Sequence, residues 1–104
     1  MRSHQWIDER SRALHEAVAS KLKDQPELLA VARSNLERWL AASPSPVLKE
    51  WQRLLDQLPL PELLTLLVSA SEEAKQLRQS SPFAGLLTPA ERQAILDWYE
   101  SSIA

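Results

Sequence analysis

The sequence predicts an all-α fold: one compact domain over residues 1–104, a bundle of five or six helices joined by short Pro/Ser-rich turns. Three observations carry that expectation. A single Gly stands among 104 residues, while Leu, Ala, Glu, Gln and Arg abound, and these side chains lose little on entering a helix. The β-branched residues are few and scattered, so no segment competes as a strand. The prolines fall where helices should begin, in the first turn, whose backbone N–H groups have no partner within the helix. With 44% apolar and 25% charged residues, the chain has the make-up of a globular domain and not of a disordered one.

The first helix is expected from about Ser3 to Lys23. Ile7, Leu14, Val18 and Leu22 fall on one side at helical spacing, with Ala17 beside them. Asp8 and Arg12 are placed as an i,i+4 pair. At "DQPE" a second helix is expected, with Asp24 as cap, Pro26 in the first turn and Glu27 returning to the cap amide. Its inward stripe is Leu29, Ala32, Leu36 and Trp39. "AASPSP" breaks it, because two prolines in four residues cannot continue a helix. A third helix opens at Pro46 with Ser45 as cap, and Val47, Trp51, Leu54 and Leu58 face inward. "LPLP" ends it. Pro61 starts a fourth helix, "PELLTLLVSA", apolar almost all round and so expected to be the most buried. Ser71, followed by Glu72 and Glu73, caps a short fifth helix to about Gln79. "TPAE" starts the last: Thr88 caps, Pro89 takes the first position and Glu91 closes the capping box. Ile95, Trp98 and Tyr99 are expected to face inward.

Between the last two helices lies "RQSSPFAGLL", a loop with unusual apolar content. Gly85 suits a left-handed turn residue, Leu86 or Leu87 suits a staple against the following helix, and Phe83 is expected to plug the bundle.

Several chemistries are disfavoured. Without Cys there are no disulfides, thiolate metal sites or Cys nucleophiles, which also fits a reducing compartment. His4 and His15 belong to no metal-ligand pattern and are expected as surface or boundary residues. The serines lack the flanking glycines of a nucleophile elbow, and Ser80-Ser81 reads as a helix end and turn. Glu72-Glu73 and Asp8-Glu9 are adjacent on helices, so each pair diverges by about 100°. The expectation is no catalytic residue, no metal and no cofactor. Residues 61–104 hold three basic and six acidic side chains, and no basic stripe suits phosphate. Nucleic acid is therefore a disfavoured partner. The start "MRSHQWIDER" has no apolar run and the longest strongly apolar stretch, "LLTLLV", is too short for a bilayer, so a cytoplasmic protein with no membrane association is expected.

The stretch "SASEEAKQLRQSSPFAGLLTPAER", residues 69–92, resembles the C-terminal part of small uncharacterised helical bacterial proteins associated with toxin–antitoxin-like gene pairs. The resemblance implies an antitoxin-like, partner-binding role. The acidic balance independently suits a basic protein partner, such as a nuclease toxin, mainly by steering association. The leading expectation is thus a non-catalytic protein-interaction module, with a homodimer as an allowed assembly. The candidate partner-binding residues are Trp6, Arg78, Phe83, Leu86 and Leu87, with Phe83, Leu86 and Leu87 required to be exposed as a patch. The rivals are a DNA-binding regulator using Arg10, Arg12, Lys21 and Lys23 on the first helix, and a helical subunit or small-molecule sensor.

Overall fold

In the computed structural model, residues 4–103 are described, with side chains from residue 7 to residue 101. Among them are six α-helices and no strand: α1 (His4–Asp24), α2 (Leu29–Ala42), α3 (Pro46–Gln57), α4 (Leu60–Val68), α5 (Glu72–Arg78) and α6 (Pro89–Ile103). No helix among the described residues is long and apolar enough to cross a membrane. The chain organises around α1, which packs most extensively on α4 and also touches α5, α6 and the turn at Pro26–Leu28, while α2 and α3 pair with each other.

Three predicted helix starts are built as the local chemistry demands. The Ser45 hydroxyl accepts the Leu48 N–H at 3.3 Å, and the Ser71 hydroxyl accepts the Ala74 N–H at 3.2 Å. At α6 the box is reciprocal: Glu91 N–H donates to Thr88 Oγ1 at 3.1 Å and Thr88 N–H donates to Glu91 Oε1 at 2.8 Å. Each arrangement satisfies backbone donors that a helix end leaves without partners. The start at "DQPE" differs. α1 runs through Asp24, a single 3₁₀ turn spans Pro26–Leu28, and α2 begins at Leu29 with no side-chain cap. Asp24 is therefore not a cap. Gln25 N–H still bonds the Lys21 carbonyl at 2.8 Å, so the backbone prolongs α1 to its last residue and leaves Pro26 to force the break.

The core is one continuous cluster drawn from every helix except α6: Val18 and Leu22, Ala32 and Leu36, Trp51, Leu54 and Leu55, Leu63 and Leu67, and Leu77, joined by Phe83 and Leu86 from the loop. Trp51 sits at its centre. Its ring is fully buried, its indole N–H donates to the Leu77 carbonyl at 2.8 Å, and Phe83 meets it edge-on at 5.6 Å and 87°. A large ring with its one polar atom satisfied is the arrangement burial requires. The apolar stripes of α2 and α3 lie largely as expected, with Leu29, Val47 and Leu58 partly buried at their ends, but Trp39, expected on the inward stripe of α2, is half-buried and not among the residues packed on the core. α4 is buried on one side only; Leu63 and Leu67 face in, while Pro61, Glu62 and Thr65 are exposed.

Three expectations on α1 and α6 are corrected. Ile7 is 46% exposed, because the first turns of α1 extend past the core. Arg12 pairs with Glu16 at 3.7 Å instead of Asp8, taking the acid one turn ahead over the one behind. Trp98 is 66% exposed although Tyr99 beside it is buried. α6 rests on α1 through Tyr99, with Ile95 half-buried, and adjacent helical positions diverge, so turning Tyr99 inward carries Trp98 out.

Candidate functional site

The loop that the sequence marks as unusual is a plug. Phe83 is 5% exposed and Leu86 3%, so neither contributes to an exposed patch, and Leu87 is half-buried against the same core. This corrects the requirement that the three form a docking surface. Apolar side chains are cheapest inside, and α2, α3 and α1 provide the socket. Trp6, the N-terminal candidate, has its side chain outside the described residues.

Polar contacts hold the plug. Asn35 of α2, 5% exposed, donates through Nδ2 to the carbonyls of Pro82 and Ala84, each at 2.8 Å, and accepts from Arg38 at Oδ1. The buried Pro82 carbonyl and the part-buried Ala84 carbonyl thereby gain a donor each. Gly85 follows with φ +84, the left-handed conformation that the turn back towards α6 requires. A Cβ added there would meet nothing within 4 Å, so Gly85→Ala should cost about 1–2 kcal/mol from backbone strain alone. Chemical denaturation would show that loss as a shifted midpoint with unchanged slope.

His15 supplies the third hold. It is buried, not at the surface as expected, and Nδ1 lies 2.7 Å from the Ser11 carbonyl while Nε2 lies 2.8 Å from Ser81 Oγ. A carbonyl only accepts, so Nδ1 carries the proton; Nε2 then accepts from the Ser81 hydroxyl. Ser81 Oγ in turn accepts the Phe83 N–H at 3.3 Å. Burial, with a smaller contribution from the Arg78 charge, pushes the His15 pKa below its usual 6.5, against the pull of the Ser11 carbonyl. The folded protein therefore binds fewer protons here than the unfolded chain. The stability that the neutral imidazole contributes is complete above about pH 6.5 and falls as the pH drops through 6.5 towards the lower folded value. Thermal melts between about pH 7.5 and 5.5 should show this decline, and His15→Gln should flatten it. An unchanged slope in that variant would assign the pH dependence elsewhere.

Arg78, the remaining predicted residue, is also interior, at 5% exposure. Its Nη1 donates to the Leu67 carbonyl at 3.2 Å and the Ser69 carbonyl at 2.7 Å, capping the C-terminal end of α4 from α5. The guanidinium also borders a cleft of about 360 Å³ lined by Asp8, Glu9, Arg12, Ala70 and Lys75. From that cleft a shallow groove follows α1, sharing Glu9 and Arg12, to Ala13, Glu16, Trp98 and Tyr99. It ends in an open hollow of about 440 Å³ formed by Ala13, Ala17, Ala94, Ile95 and Trp98.

Two contacts fix α6 along this groove. Lys21 bonds Glu91 at 2.7 Å, and the Tyr99 hydroxyl donates to Glu9 Oε2 at 2.8 Å. The Lys21 ammonium, and after it the Thr88 amide and hydroxyl, hold the Glu91 carboxyl down to about 2. Between these anchors Trp98 stands outward, with Asp97 and Glu100 exposed beside it and Glu16 across the hollow. Sequence reasoning missed this surface because Trp98 was counted as core. It missed Asn35, which has no motif to mark it, and it missed the His15–Ser81 pair because 66 residues separate them.

Fold and surface together define a six-helix all-α domain with an aromatic-tipped groove along its first helix. Among the described residues no cluster of His, Asp and Glu is placed to hold a metal ion. Comparison with protein-family models, curated proteins and solved structures gave no match.

Proposed function

We propose that this chain is a non-catalytic, cytoplasmic protein-interaction module that docks a basic partner through the Trp98 face, in the manner of an antitoxin that neutralises a partner protein. The observation that carries the reading is a Trp 66% exposed above an alanine-lined hollow. Exposed aromatic anchors of this kind concentrate binding energy when a partner desolvates them. The exposed acids beside it, Asp97 and Glu100, favour a partner that surrounds an apolar contact with Lys or Arg, while Glu16 across the hollow is shared with Arg12. A protein partner is favoured over nucleic acid because Lys21 is bound to Glu91 and Arg12 to Glu16, which draws down the basic face a DNA-binding reading needs. The loop residues Phe83 and Leu86 now support the face from within, by fixing where α6 begins.

Trp98→Ala should leave the melting temperature within about 2 °C of wild type, since little core is removed. It should weaken the complex captured from native cells by about 30-fold or more, the effect of an interface hot spot. Rising salt should slow association of the wild type. A variant that captures the same partner with undiminished affinity would refute the reading.

A further inference from the structure

The Arg78 cleft, at the opposite end of the groove from Trp98, has features of its own. Arg78 is an arginine with nine-tenths of its surface buried and, among the described residues, no carboxylate bonded to it, although the Asp8 charge is near enough to favour its charged form. Among the described residues its only hydrogen bonds run from Nη1 to the two carbonyls, and Nε and Nη2 have no acceptor. A guanidinium stays charged in a protein and carries five donors, so Arg78, which lines the cleft, keeps three unspent N–H groups on Nε and Nη2 and a positive charge. Arg12 and Lys75 add to that charge, although each is also engaged by a glutamate on its own helix. Asp8 lines the same cleft, and among the described residues no ion pair or hydrogen bond joins it to Arg78. Glu9 is occupied by the Tyr99 hydroxyl.

The cleft thus brings together a guanidinium with a free two-pronged edge and a carboxylate that attract each other across it without a direct hydrogen bond or ion pair. A water molecule takes up about 30 Å³ of liquid, so a cleft of about 360 Å³ has room for a molecule of several heavy atoms. Fork-shaped donors match a carboxylate in bidentate fashion. An anion with two or more negative charges would be opposed by Asp8 and Glu9, whereas a molecule carrying one charge of each sign is favoured at both ends. We propose that the cleft between α1 and α5 binds a free α-amino acid, its carboxylate on Arg78 with Arg12 and Lys75 alongside, and its ammonium on Asp8. This site is independent of the Trp98 face and would make the domain responsive to a small metabolite.

The test is a titration of ¹⁵N-labelled full-length chain with each of the twenty L-amino acids separately, with acetate and methylammonium as single-charge controls. At least one amino acid should shift the resonances of Asp8, Arg12, Lys75 and Arg78 saturably, and both controls should bind at least about tenfold more weakly. Asp8→Asn, a half-buried position outside the core, should weaken the amino acid by about tenfold or more at unchanged melting temperature. Arg78→Lys, which keeps the charge but loses the fork, should do the same if it folds. Absence of any such shift up to about 10 mM, equal binding of acetate, or an undiminished affinity in Asp8→Asn would each overturn the proposal.

Discussion

Phe83→Ala is expected to destabilise the domain by about 3–5 kcal/mol, the usual cost of truncating a buried aromatic. The ring lies edge-on to Trp51 at 5.6 Å and to His15 at 6.3 Å, so its loss opens a void against two rings at once. Marginal stability for a domain of this size is about 5–15 kcal/mol, so the variant should melt roughly 12 °C or more below wild type. Denaturant titration with calorimetry would check the figure. A variant that melted with the wild type would show the loop to be a detachable surface feature, contrary to its 5% exposure.

Asn35→Asp is expected to cost about 3 kcal/mol or more, although it replaces one atom group by another of equal size. The amide donates to two loop carbonyls; a carboxylate there keeps Arg38 on one oxygen but turns the other towards two acceptors with nothing to donate, and leaves them unsatisfied as well. The deficit relative to wild type at the same pH should shrink under acid conditions, where the new carboxyl is protonated and can donate to one carbonyl. Asn35→Ala should lie between wild type and Asn35→Asp, since it removes the donors without adding charge. If Asn35→Ala were as stable as the wild type, the polar latch would not be what holds the loop.

Fold class and most helix bounds were legible because they rest on local chemistry. Ser45, Ser71 and the Thr88–Glu91 box announce helix starts within four residues of sequence, and periodic Leu and Trp announce which faces go inside. "DQPE" misled for a local reason of the same kind: the pattern matches a capping box, yet α1 gained more by prolonging its own hydrogen-bond ladder through Asp24. The surface was less legible. Whether Trp98 or Tyr99 turns inward depends on how α6 is rotated against α1. That rotation is set by Glu9 and Lys21, about 70 to 90 residues earlier in the chain. Arg78 shows the same limit. Its composition and position fit an exposed helix end, and only the proximity of the Leu67 and Ser69 carbonyls explains why a charged side chain is drawn inside.

The central position of α1 has a consequence for how the domain is made. Its main neighbours are α4 and, at the end of the chain, α6. α1 therefore depends on helices far along the chain, and the cover of Val18 and Leu22 is incomplete until residues 60–103 have been made. The core of such a domain closes as a unit once α4 and α6 are made, not progressively along the growing chain. During that interval the apolar face of α1 is a surface for chaperones or for premature association with a neighbouring nascent chain.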